Sequence, residues 1–157
     1  MSNIPFVLLA ILGGCMFALQ ATVNGAFGKR IGIYESSLVS VLISVVILLL
    51  VVLLFGKGSL SSVSEVPKWH LLGGVLGAFI VITMVVTVPR VGAASAVFGV
   101  MFGQVIISIL IDNFGFFDVP VIKIDAFRFT GVLFMLIGLV LIFKGHINFN
   151  LSDIFNR

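Results

Sequence analysis

A handful of polar side chains stands out in an otherwise oil-like sequence. Gln20 and Asn24 lie four residues apart in the run Gln20-Ala21-Thr22-Val23-Asn24-Gly25, so on a helix they share one face, which Gly28 continues. Further along, Gln104, Ser108 and Asp112 repeat the same spacing. A side-chain amide both donates and accepts hydrogen bonds. These groups can therefore hold a neutral or weakly charged solute, or simply tie one helix to its neighbour. The charged candidates are Glu35, Arg90 and Asp112, each beside the end of an apolar run, where it can steer charge or close a gate. Glu35 reads first as an acid favoured at a helix start, and Asp112 first as an interface charge.

Catalytic chemistry finds little purchase here. His70 and His146 both adjoin the ends of apolar runs, where a lone histidine is ordinarily interfacial. No cluster of Cys, His and carboxylates has metal-ligand spacing, and no glycine-rich phosphate loop follows a strand. Ser44, Ser95 and Ser108 read as hydroxyls bonding within or between helices. We expect no enzyme, no cofactor and no metal. Cys15 is the single cysteine, so no disulfide forms within the chain. Leu12-Gly13-Gly14-Cys15 loosely resembles a lipoprotein cleavage site, but no Lys or Arg precedes it and the apolar run continues past it. The first run is expected to remain as a membrane span.

The elements that must position these residues follow from composition. Of 157 residues, 61% are hydrophobic and 10% charged, against roughly a quarter charged in soluble domains. So little polar surface cannot cover a water-soluble globule, and the expected class is an all-α membrane protein. Five spans are expected, at about 4–27, 36–55, 69–88, 93–111 and 127–143, forming one domain over 1–144, with 145–157 as a short interfacial or flexible tail. In the second span 16 of 20 residues are aliphatic or Phe, with Ser36 or Ser37 expected to cap its start. The third and fourth spans are joined only by Pro89-Arg90-Val91-Gly92, read as a turn, so they are expected to form an antiparallel hairpin. Gly73, Gly74 and Gly77 in the third span, Gly99 and Gly103 in the fourth, and Gly131 and Gly138 in the fifth are spaced to admit a neighbouring backbone. All four prolines are placed at or outside span boundaries, and no internal repeat stands out.

The basic residues, for all that they give a net charge of +3, form no stripe that would hold nucleic acid. Five crossings put Lys57, Lys68, Lys123 and Arg128 on one side and Lys29, Arg30, Arg90, Lys144 and Arg157 on the other. Four against five is nearly no bias, so the positive-inside rule selects no orientation. A chain that inserts both ways can pair with an inverted copy, or with an oppositely biased paralogue, giving ten helices around a midplane site.

Several motifs in order carry a family resemblance: Gln20-x-x-x-Asn24, Trp69-x-x-x-Gly73-Gly74-x-x-Gly77, Pro89-Arg90-x-Gly92-Ala93-Ala94, and Gly103-Gln104 followed by Ile111-Asp112-x-x-Gly115. Together they resemble the YdcZ-type inner membrane proteins, short five-helix members of the drug/metabolite transporter superfamily. The resemblance extends to about Lys144. It implies a multi-pass protein of the bacterial inner membrane whose five-helix units pair and which exports or exchanges a small organic molecule. One departure matters: the related small multidrug resistance exporters use a buried glutamate in their first helix, and the first span here has no acid. On this reading Gln20, Asn24, Gln104 and Ser108 line a solute path. Glu35, Arg90 and Asp112 stand near its mouths. The alternatives are a non-transporting membrane assembly protein and a small channel.

Overall fold

The structure, a computed structural model, describes residues 3–144. Five helices have the length and composition to cross a bilayer: α1 (Ile4–Ile31), α2 (Ile33–Phe55), α3 (Leu72–Val91), α4 (Ala93–Phe114) and α5 (Ala126–Lys144). No strand occurs among the described residues. The expected tail, with Gly145 and His146, lies outside them.

The helices overrun the expected spans. At 1.5 Å per residue α1 is about 42 Å long, beyond the roughly 30 Å hydrocarbon core. Its last turn therefore carries Lys29 and Arg30 to headgroup level. A single residue, Gly32, separates α1 from α2, with φ 108° and ψ 153°. That backbone region is open essentially only to glycine. A side chain there would also strike the Glu35 carboxylate, which folds over Gly32. Gly92, at φ 82° and ψ 158°, is likewise the only residue between α3 and α4. The expected turn at Pro89 is thus corrected: the helix runs on through Pro89 and Arg90 to Val91. Pro89 has no N–H to offer the Val85 carbonyl, a loss small enough to bear in a last turn. Ser36 and Ser37 do not cap α2 either. The helix starts at Ile33, and both hydroxyls donate back to the Ile33 carbonyl, at 3.1 and 2.8 Å.

The described chain divides into two compact units, one up to Arg90 and one from Val91. In the first, the buried residues are Ala21, Asn24, Gly25 and Gly28 of α1, Ser36 and Ser37 of α2, and Met84, Val85 and Val88 of α3. They occupy the C-terminal halves of α1 and α3 and the first turns of α2. Gly25 and Gly28 make the approach possible. A methyl group at Gly25 would lie 3.3 Å from Pro89 and Val88, and one at Gly28 would lie 2.5 Å from Val85 Cγ1 and 3.1 Å from Ser36 Oγ. The other ends stay open, with Leu8, Leu53, Phe55, Leu76 and Phe79 all exposed. The most apolar stretches of α2 and α5 contain no buried residue, as expected of surfaces turned to lipid.

In the second unit α4 and α5 pack with Gly138 against the ring of Phe98, at 3.3 Å from an added Cβ. Gly115 ends α4 in the left-handed conformation, φ 66°, and its N–H bonds the Ile111 carbonyl. The connector then folds back along the end of α4. The N–H of Ile122 donates to the Asp112 carbonyl at 3.0 Å, and that of Ile124 to Asn113 Oδ1 at 3.1 Å. Asp125 begins α5 by accepting the Arg128 N–H on Oδ1 at 2.8 Å, a capping arrangement typically worth about 1 kcal/mol.

Candidate functional site

The polar face of α1 is where chemistry and packing meet. Gln20 is exposed, whereas Asn24 is buried, only 8% exposed. Asn24 Nδ2 donates to Ser40 Oγ of α2 at 2.9 Å, so this amide ties two helices together. Ser44 donates to the Ser40 carbonyl at 3.0 Å, extending the polar seam along α2. Phe17, Gln20, Ala21 and Asn24 of α1 enclose with Val81 and Met84 of α3 a cavity of only about 10 Å³. That is space for about one water and no larger molecule. Within the first unit the α1 amides border a small, mainly apolar crevice, not a solute chamber.

Nearer the helix ends a wider cleft of about 260 Å³ opens between α1 and α3, lined by Gly28, Lys29, Ile33, Val85, Val86, Pro89 and Arg90. Arg90 Nη1 donates to the Val86 carbonyl at 2.7 Å, one turn back. Glu35 is exposed and stays over Gly32.

In the second unit Gln104 and Ser108 are exposed on α4. Asp112 pairs with Arg128 of α5, Oδ2 to Nη1 at 3.1 Å, with both side chains about one-third exposed at 32% and 30%. Sequence spacing gives no hint of this partnership, since 16 residues and a reversing connector separate the two. An apolar groove of about 290 Å³, walled by Ile106, Ile109, Leu110 and Phe129, runs beside Arg128. Ser95 is 1% exposed, and its hydroxyl has no hydrogen-bond partner among the described residues.

The glycines divide sharply. Gly138 is in close contact, as are Gly25 and Gly28, which were not singled out for packing. Gly73, Gly74, Gly77, Gly99, Gly103 and Gly131 have no neighbour within 4 Å in their own unit. Some hydroxyls within the helices satisfy themselves locally: Thr22, Thr83 and Thr130 each donate to the carbonyl four residues back.

Five lipid-length helices, with Asn24, Ser36, Ser37 and Ser95 as their buried polar residues, define a polytopic membrane protein. Residues 5–141 match the family described as "Putative inner membrane exporter, YdcZ". The chain belongs to that family, and is accordingly a multi-pass inner membrane protein of an exporter family, not of an enzyme family. Comparison with curated proteins and with solved structures gave no match.

Proposed function

We propose that this chain is one half of a small-molecule exporter that works by alternating access, completed by an inverted second copy or an oppositely inserted paralogue. What supports this is family membership together with the open half of the first unit. There Gly13 and Gly14 of α1 and Gly73, Gly74 and Gly77 of α3 have no neighbour in their unit. Glycine surfaces in lipid let another backbone approach closely, and dispersion over that contact favours association. A flipped copy supplies such a helix.

In that assembly Gln20, Asn24, Gln104 and Ser108 line the solute path with neutral donors and acceptors. Asn24 contributes through the Ser40 seam it holds, and Gln20 through its free amide. Glu35, Arg90 and Asp112 stand at the mouths, where Asp112 exchanges its bond to Arg128 as a gate opens. Flux in liposomes tests the reading. Gln20→Ala and Gln104→Leu are expected to slow saturable efflux with little loss of folded protein. Unchanged flux in both removes the path assignment. A tag after Arg157 reached from one membrane side only removes the self-inverted dimer and leaves the paralogous pair.

A further inference from the structure

From the cleft between the last turns of α1 and α3 we infer a binding site for an amphiphilic anion, a single phosphate or carboxylate on an apolar body. Lys29 and Arg90 arrive there from different helices, yet both line one cleft of about 260 Å³. Among the described residues neither has a carboxylate within 4 Å, and the ion pair there is Asp112–Arg128. Glu35, the nearest acid in sequence to Lys29, lies over Gly32.

Cations in the last turn of a helix are favoured by its dipole, which explains Lys29 and Arg30 on α1 and Arg90 on α3. It does not explain why two of them share a wall with Ile33, Val85, Val86 and Pro89. Both cations are exposed at the edge of that cleft, so each can meet an anionic group whose apolar body lies on its wall. The Val86 carbonyl fixes Arg90 through Nη1. The guanidinium has five N–H donors, so others remain for an oxyanion, with Lys29 as a point charge beside it. The apolar wall takes the first carbons of the tail, and the modest volume limits how much more it holds. Height in the membrane agrees for α1, whose 28 residues outreach the hydrocarbon core. A lipid phosphate and a soluble alkyl phosphate share this chemistry. The inference stands apart from the exporter reading, since it is tested by binding without flux.

The test uses the full chain in dodecyl maltoside, with binding followed by native mass spectrometry and thermal shift. Dodecyl phosphate is expected to bind saturably, and dodecyltrimethylammonium is not. Lys29→Gln and Arg90→Gln should each weaken dodecyl phosphate about tenfold or more. Lys29→Arg should retain binding, and so should Lys57→Gln, which removes an exposed cation elsewhere. Competition by water-soluble hexyl phosphate identifies a soluble ligand. Retention of phosphatidylglycerol through purification, lost in Lys29→Gln, identifies a lipid. Equal binding of both dodecyl amphiphiles, or equal binding of dodecyl phosphate by wild type and both glutamine variants, overturns the site.

Discussion

Replacing Gly28 by alanine sets helix propensity directly against packing. Alanine is favoured over glycine inside a helix by about 1 kcal/mol, so away from any neighbour the substitution stabilises. At Gly28 the new methyl would sit 2.5 Å from Val85 Cγ1 and 3.1 Å from Ser36 Oγ. Carbon atoms in contact prefer about 3.5–4.0 Å, so something must move by about 1 Å. Val85 cannot simply swing aside. It is 1% exposed and β-branched, which on a helix leaves essentially one rotamer. The strain falls on the approach of α1 to α3, where overpacking costs about 1–3 kcal/mol. Net destabilisation of up to about 2 kcal/mol is expected after the propensity gain. Gly131→Ala, inside α5, is the control, because nothing lies within 4 Å of its added methyl. Apparent melting midpoints of the purified protein in detergent should rank Gly131→Ala above wild type and Gly28→Ala below it, by about 2–4 °C per kcal/mol. Val85→Ala should be less harmful in the Gly28→Ala background than alone, a coupling expected only if the two atoms collide. A Gly28→Ala protein melting with or above Gly131→Ala would refute the packing argument.

Other perturbations read other joints of the fold. A double-mutant cycle on Asn24→Ala and Ser40→Ala should give a coupling of about 0.6 kcal/mol and below 2, as buried interhelical hydrogen bonds in membranes do; no coupling would mean the 2.9 Å bond is not held in lipid. Arg128→Gln and Asp112→Asn should couple by less than about 1 kcal/mol, fading as salt is raised, because both partners are a third exposed. Asp125→Ala should lower the melting midpoint by the equivalent of about 1 kcal/mol through loss of the α5 cap, with Asp125→Ser restoring most of it. Gly32→Ala and Gly92→Ala should each cost at least about 1–3 kcal/mol from backbone strain. Glu35→Ala should relieve the side-chain collision at position 32 but not the strain.

Legibility in the sequence followed the range of the forces involved. Apolar runs long enough for a bilayer are a property of composition, so the five helices could be read directly. Their ends could not. Lys29, Arg30 and Glu35 lie outside the expected spans at 4–27 and 36–55, yet a helix accommodates charge in its first and last turns, and one glycine suffices to separate α1 from α2. Glycine contacts were half visible. Spacing identifies a smooth helix face but not what lies against it, which is why Gly25 and Gly28 have neighbours while Gly73, Gly74 and Gly77, on the same pattern, have none in their unit. The Asp112–Arg128 pair was invisible because it depends on Asn113 turning the connector back, a contact between a side chain and a backbone N–H 11 residues away.

The joints also contain a likeness that reading along the chain did not isolate. Arg30-Ile31-Gly32 and Arg90-Val91-Gly92 lie 60 residues apart, and each ends one helix and starts the next. Both glycines adopt the same extended backbone at positive φ, and each glycine carbonyl accepts the N–H four residues on, from Ser36 and Ala96, at 3.1 Å. Buried small residues follow at once, Ser36 and Ser37 after one joint and Ser95 and Ala96 after the other. If every helix crosses once, both joints face the same side of the membrane. Small buried side chains allow the tightest approach of backbones there, while longer exposed aliphatics mark the far ends of α1, α2 and α3. Such a unit is closed at one end by its own residues and open at the other. Among the described residues that opening is bounded by glycine and exposed aliphatic side chains. On the exporter reading proposed above, a second set of helices enters there, and assembly then depends on the exposed glycines of α1 and α3.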